Sequence, residues 1–176
     1  MKTALKILLG LAAALVLVVL VGYAMPETAH VERSVVIDAP REAVFPLVNE
    51  LPNWTRWDPW HEMEPTVVRE YTDATSGAGA AYTWRGEKTG AGKLTVTEVV
   101  PNERIETDLY FEGQGEAECS YRFSALGDGR TEVTWAFDTS ADGSPVGRWF
   151  NVFMDRMLGP DFERGLGNLK RVAEAG

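Results

Sequence analysis

The sequence predicts an α+β fold: a sheet of about seven antiparallel strands packed against one long C-terminal helix, after a single apolar N-terminal helix. Three observations predict it. Six β-rich segments after residue 65 are joined by short links rich in Gly, Pro, Asn and Asp, which are typical of antiparallel hairpins. Residues 145–173 have the apolar spacing of an amphipathic helix. Residues 7–25 contain no charged side chain.

The first predicted element is the apolar segment at residues 7–25, which is long enough to span a membrane as a helix. Lys2 and Lys6 precede it, and the acidic residues Glu27 and Glu32 follow it. The positive-inside rule then places the N-terminus in the cytoplasm. We expect a single-pass protein of the cell membrane, with the folded part on the periplasmic or extracellular side.

Two other interpretations of this segment remain open. Gly22-Tyr23-Ala24 supplies small residues at a spacing that fits cleavage of a signal peptide. A helix buried within the domain is the third possibility. We take residues 1–26 as a transmembrane anchor or uncleaved signal, and residues 30–174 as one folded domain.

The folded part begins with a strand at residues 31–38 and a short helix at residues 40–50, which Pro46 is expected to disturb. Residues 51–60 form a second helical piece or an ordered loop. The six following strands are predicted at residues 66–71, 79–85, 92–100, 104–111, 116–125 and 131–138.

One face of the sheet is apolar. Alternating positions 117–125 and 133–137 carry apolar or aromatic side chains, so a helix must cover that face. The predicted cover is the helix at residues 145–173, with Ser144 as N-cap and Pro145 at its first position. Gly159-Pro160 predicts a kink there, or two packed segments.

Composition excludes several classes of function. The formal net charge is −9, and both N-terminal lysines lie outside the folded part, so the domain lacks the basic face that nucleic acid requires. His30, His61 and the single cysteine, Cys119, have no zinc-type spacing. The segment at residues 86–93 fails the phosphate-loop pattern and is interpreted as a hairpin connection. We therefore expect no cofactor and no metal.

The order of these elements, with several short motifs, resembles the START-like, SRPBCC superfamily and within it the polyketide cyclase/dehydrase-like group. The stretches that carry the resemblance are residues 35–45, 51–60, 101–105, 131–135 and 159–170, and together they extend over about residues 30–174. The resemblance implies the helix-grip (START-like) fold, a curved antiparallel sheet around the C-terminal helix. It also implies an elongated cavity between the two layers, the kind of gap in which small molecules bind.

The candidate cavity residues are mostly aromatic: Trp57, Trp60, Tyr82, Trp84, Phe111, Tyr121, Trp135, Phe153, Met154 and Met157. The polar candidates are His61 and Glu62; no residue is assigned a catalytic role. We expect membrane-anchored binding of a hydrophobic small molecule or lipid. A cyclase/dehydrase-like enzyme using His61, Glu62 or Tyr82 is the first alternative. An envelope protein-interaction or stress-related module, with a surface ridge of Trp54, Trp57 and Trp60, is the second.

Overall fold

A computed structural model describes residues 2–176. The helices are α1 (Lys2–Gly22), α2 (Arg41–Asn49), α3 (Pro59–Met63) and α4 (Pro145–Glu174), and a 3-10 helix, η1, occupies Leu51–Arg56. The strands are β1 (Thr28–Ile37), β2 (Val68–Tyr71), β3 (Ala81–Arg85), β4 (Ala91–Val100), β5 (Arg104–Phe111), β6 (Gly115–Gly127) and β7 (Arg130–Ser140).

All these strands belong to one antiparallel sheet with the order β1-β7-β6-β5-β4-β3-β2. Consecutive strands from β2 to β7 are neighbours, and β1 pairs with β7. The register shifts between Val96 and Glu98 and between Ala125 and Gly127. Such bulges bend a sheet and increase its twist. The predicted α+β architecture, a curved antiparallel sheet with a long C-terminal helix, is confirmed.

The strands follow the predicted segments with shifted ends. β1 begins at Thr28 rather than at residue 31. β6 and β7 are longer than predicted because the turn between them is tight. Asp128 and Gly129 have φ angles of 54° and 72°, the backbone that a two-residue hairpin turn requires and that Asp-Gly adopts readily.

The helices differ from prediction at both internal prolines. α2 continues through Pro46. α4 is one continuous helix through Pro160, begun by the Ser144 hydroxyl, which accepts a hydrogen bond from the Gly147 amide at 3.2 Å. Of the two alternatives predicted at Gly159-Pro160, two packed segments is therefore wrong, and a kink stays a prediction. Arg33 of β1 holds α4 on both sides of the proline, through its contacts with Asp155 at 2.8 Å and Glu163 at 2.9 Å.

The β3–β4 connection is fixed by a buried carboxylate. Glu64 is 6% exposed and accepts hydrogen bonds from the amides of Glu87 (2.7 Å), Lys88 (3.1 Å) and Thr89 (3.0 Å) and from the Thr89 hydroxyl (2.9 Å). These bonds, first of all the one from the Thr89 amide, lower the pKa of Glu64 to about 2. Residues 86–90 therefore form the hairpin connection between β3 and β4, and residues 91–93 of the predicted connection belong to β4.

α1 is the one described helix that is long and apolar enough to cross a membrane, over Thr3–Gly22. A signal sequence near an N-terminus also meets these criteria of length and composition. Its apolar side chains are mostly exposed; Leu11 and Leu15, for example, are 64% and 66% exposed. The end of α1 contacts the beginning of α4, where the Trp149 indole donates a hydrogen bond to the Val18 carbonyl at 3.1 Å.

Candidate functional site

The inner face of the sheet carries a connected network of aromatic rings. Seven of the ten predicted cavity residues belong to it: Trp57, Trp60, Tyr82, Trp84, Phe111, Tyr121 and Trp135. Trp54 joins its two ends, because it contacts Tyr82 with a centroid separation of 6.2 Å and Tyr121 with one of 5.6 Å. Such ring pairs contribute about 0.5–1.5 kcal/mol each beyond the area they bury. The strand register places the strand rings on one side of the sheet, and residues 54–60 bring the three tryptophans against them.

The C-terminal half of α4 packs directly on this network. Phe162 stacks on Trp135 with a centroid separation of 4.0 Å and an interplanar angle of 10°. Gly165 permits the approach, because a Cβ there would lie 2.9 Å from Trp135 Cζ3 and 2.9 Å from Pro59 Cδ. The expected cavity between the helix and the sheet is absent along this half of α4. Gly165 has no side chain, and the rings of Phe162 and Trp135 are stacked, so the two layers are in contact.

Two of the predicted cavity residues, both in the N-terminal half of α4, do not face the core. Phe153 and Met157 are 50% and 55% exposed, so they do not line the interior. Met154 and Leu158, one position further along in each case, are the residues that pack against the core. A helix turns by about 100° per residue, and the face toward the sheet is therefore the one carrying Met154.

The tryptophan ridge is a core feature rather than a surface. Trp54 and Trp57 are 3% and 1% exposed. Their indole N–H groups donate to the carbonyls of Val48 at 2.8 Å and Leu47 at 2.9 Å, which lie at the end of α2, where helical carbonyls lack intrahelical partners. Trp60 is partly buried beside Trp135. The hypothesis that these rings form a protein-binding ridge loses its basis.

The two polar candidates do not form a pair. Glu62 is exposed and accepts a hydrogen bond from the Asn168 side chain at 2.9 Å. The His61 side chain is partly buried, and its Nδ1 is buried without a hydrogen-bond partner among residues 2–176. Glu62 thus faces α4 and the solvent, and of the two candidates only His61 has a buried polar atom without a partner among the described residues.

A buried ion pair lies beside the aromatic network. The Asp58 and Arg69 side chains are 3% and 7% exposed and form a salt bridge. Asp58 caps α3 by accepting from the Trp60 amide at 2.9 Å. The Arg69 guanidinium lies over the Tyr82 ring, 5.2 Å from its centroid. Its Nε and Nη1 are buried and lack a partner among the described residues.

The electrostatics of this pair follow from burial. Burial raises the pKa of the Asp58 carboxyl, while Arg69 and the Trp60 amide oppose that rise. Burial lowers the pKa of Arg69, but Tyr82 and Asp58 more than offset this, and Arg69 stays charged. Burial also raises the pKa of the Tyr82 hydroxyl. The pair therefore places two guanidinium nitrogens, without acceptors among the described residues, at the edge of an apolar interior.

Sequence reasoning missed Asp58 and Arg69. Arg69 and Tyr71 alternate with Val68 and Glu70 along β2, and this alternation alone does not show which of the two pairs faces the core. The pairing of β2 with β3 is needed to show it. In that register Arg69 is opposite Trp84 and Tyr71 is opposite Tyr82. The signal available in the sequence was an arginine next to positions whose aromatic side chains face the core.

Two open concavities lie on the outer surface. One, of about 570 Å³, is on the outer face of the sheet and is lined by acidic residues that include Asp108, Glu118 and Asp138. The other, of about 440 Å³, lies beside the last turns of α4. No group of three His, Cys, Asp or Glu side chains within residues 2–176 is placed to hold a metal ion.

Solved structures share this fold. Protein CV1439 from Chromobacterium violaceum is 19% identical, with a TM-score of 0.59 over 85% of this chain and 99% of that chain. The Zhui aromatase/cyclase from a Streptomyces species is 16% identical, with a TM-score of 0.58 over 84% of this chain and 94% of that chain. A Staphylococcus aureus protein of unknown function is 13% identical, with a TM-score of 0.61 over 85% and 96% of the two chains.

These identities establish a common fold and no more. A search of curated proteins found no match to this chain. A family profile, by contrast, matches residues 28–174, from the first strand to the end of the last helix. It is described as polyketide cyclase / dehydrase and lipid transport. The match includes every strand of the sheet and the whole of α4, and this chain therefore belongs to the polyketide cyclase/dehydrase and lipid transport family.

Proposed function

We propose that this protein binds a hydrophobic small molecule or lipid that carries an oxygen-bearing head group, close to a membrane. The observation that carries the proposal is the Arg69 guanidinium, buried with two nitrogens, Nε and Nη1, that have no partner among the described residues. A buried donor without an acceptor costs about 1–3 kcal/mol, and more when it is charged. A carboxylate or carbonyl oxygen of a ligand would remove that cost.

The surroundings of Arg69 suit the apolar part of such a molecule. Trp84 lies opposite Arg69 across the strand pair and is only partly buried. Phe111 of β5, which contacts Trp84 with a centroid separation of 5.6 Å, is also partly buried against the core. Partly exposed rings next to a buried charge are the usual composition of a small-molecule site.

The family supports the same class of ligand. Its description joins cyclases, dehydrases and lipid transport, all of which act on largely hydrophobic molecules. The solved structures with this fold include an aromatase/cyclase. Binding of a hydrophobic molecule is the element that these activities have in common, and we extend that element to this chain.

The membrane part of the proposal depends on α1. Its 20-residue apolar span is about 30 Å long, the thickness of the hydrocarbon core. Lys2 and Lys6 lie at its start and no acidic residue precedes Glu27. We propose that residues 1–26 anchor the protein with the N-terminus in the cytoplasm and that residues 30–174 form the binding domain on the other side.

The test compares two probes that differ only in the head group. The full-length protein is extracted in detergent, incubated with decanoate or decanol, and examined by native mass spectrometry. Decanoate is expected to bind more tightly, because charge-assisted hydrogen bonds contribute about 1.5–3 kcal/mol, roughly 10- to 150-fold in affinity. Arg69→Met is expected to abolish that preference and to leave decanol binding unchanged.

Two variants control the comparison. Arg85→Met removes an exposed arginine of the next strand, 77% exposed at its side chain, and should leave both affinities unchanged. Asp58→Asn combined with Arg69→Met removes both charges, so that loss of decanoate binding does not result from an uncompensated Asp58. Equal binding of decanoate and decanol to the unaltered protein would refute the role of Arg69.

A cyclase/dehydrase-like enzyme is the second candidate. It is favoured by the buried Asp58 carboxyl, whose raised pKa suits a proton-transfer group, next to the Tyr82 hydroxyl. An enzyme of this kind would convert a synthetic poly-β-ketone, and Asp58→Asn would abolish conversion. Binding without conversion favours the first candidate.

A further inference from the structure

The first three turns of α4 carry an apolar stripe that no other part of residues 2–176 covers. Val146, Phe150, Phe153 and Met157 follow one another at intervals of four, three and four residues, so they share one face of the helix. They are 60%, 56%, 50% and 55% exposed. A contiguous exposed apolar face of this kind marks a contact surface.

The stripe is held beside the end of α1. The Trp149 indole donates to the Val18 carbonyl at 3.1 Å. A Cβ at Gly22 would lie 2.7 Å from the Pro145 carbonyl oxygen, so the two helices are in direct backbone contact. Arg148 donates to the Tyr23 carbonyl at 3.0 Å. The start of α4 therefore has a fixed position relative to the C-terminal turn of α1.

The position of α4 relative to α1 determines the depth in a membrane at which the apolar stripe would lie. Val18 lies four residues before the end of α1, about 6 Å along the helix axis. A membrane-spanning α1 would therefore place the beginning of α4 at the boundary between lipid chains and head groups. Tyr23 is 55% exposed at that level and Trp149 is partly buried there. Tyrosine and tryptophan are enriched at this boundary.

We propose that the N-terminal half of α4 is a second membrane contact, lying in the interface of the bilayer with Val146, Phe150, Phe153 and Met157 among the lipid chains. The proposal rests on α1 being embedded. Continuity of the stripe with α1 favours lipid over a second copy of the chain as the occupant. The net charge of −9 disfavours attraction to anionic lipid. The contact should therefore form on zwitterionic lipid and be insensitive to salt.

The test measures depth in the bilayer. A single fluorescent label is attached at Phe153→Cys in the full-length protein, reconstituted in phosphatidylcholine vesicles with or without spin-labelled lipid. Matched labels are placed at Leu11→Cys in α1 and Glu118→Cys on the outer sheet face. The native cysteine, Cys119, is only 3% exposed, and a labelling reaction on the unaltered protein measures any background.

The expected result is quenching by spin-labelled lipid of roughly twofold or more at positions 11 and 153 and none at position 118, unchanged by salt or by added anionic lipid. Quenching at position 11 without quenching at position 153 would overturn the second contact and leave α1 embedded. Absence of quenching at both would overturn the anchor and, with it, this proposal. Disulfide-linked dimers of unlabelled Phe153→Cys, together with no quenching of the labelled protein at this position, would show that a second copy covers the stripe.

Discussion

Replacement of Gly165 by alanine tests whether α4 is packed on the sheet or stands off from it. A Cβ at this position would meet Trp135 and Pro59, each at 2.9 Å, and both are rigid rings. Gly167, two residues further along the same helix, is exposed and has nothing within 4 Å of a Cβ. The two glycines thus form a matched pair with the same helical backbone and different surroundings.

Two effects of opposite sign determine the expected changes in the free energy of unfolding. Alanine is about 0.8–1.0 kcal/mol more favourable than glycine inside a helix, so Gly167→Ala should stabilise the fold by about that amount. Overpacking a well-filled core costs about 1–3 kcal/mol. After the same gain in helix propensity, Gly165→Ala should change the free energy of unfolding by between about zero and 2 kcal/mol, in the destabilising direction.

The assay is thermal unfolding of both variants and of the unaltered full-length protein in the same detergent, followed by near-ultraviolet circular dichroism. The two variants should differ by about 1–3 kcal/mol, which corresponds to about 2–4 °C in Tm for each kcal/mol. Equal stabilisation by both alanines would refute the packed seam, because it would mean that space exists between α4 and Trp135.

Two further predictions concern buried titratable groups. The pKa of Glu64 in the folded protein, about 2, lies below the ordinary 4.5, so its stabilising contribution is complete above pH 4.5 and is lost as the pH falls toward 2. Glu64→Gln should therefore lower the urea midpoint at pH 6, with the difference shrinking at low pH; a pH-independent difference would contradict this. Burial raises the pKa of the Cys119 thiol to about 12, so iodoacetamide at pH 8 should modify it only after unfolding; rapid modification of the native protein would show that the interior opens.

The fold could be predicted from local sequence because its signals are local. Alternation in β6 and β7 identifies the inner face, and Asp128-Gly129 identifies a tight turn without any knowledge of the rest of the chain. Gly159-Pro160 misled the prediction for the opposite reason. Whether a proline divides a helix depends on tertiary contacts, here those that Arg33 makes with Asp155 and Glu163.

The site was harder to predict from the sequence than the fold, because it depends on the register of the strands and on the rotation of α4 about its axis. The aromatic residues of the inner face could be named from alternation, and seven of them meet as one network. The rotation of α4 about its axis decides that Met154 faces the core while Phe153 faces away, and an interrupted apolar pattern left that rotation undetermined. The meeting of Asp58 with Arg69 joins two separate segments of the chain, and sequence spacing does not reveal it.

The segment that joins α1 to the sheet determines how far the domain can travel. Only residues 23–27 separate the two elements, a reach of at most about 18 Å even if fully extended. Arg148 and Asn151 also bind the carbonyls of Met25 and Pro26, each at 3.2 Å. With α1 embedded, the domain has no tether on which to swing toward distant partners. A ligand of the proposed site would then have to arrive by lateral diffusion within the lipid or on carriers that come to the bilayer surface.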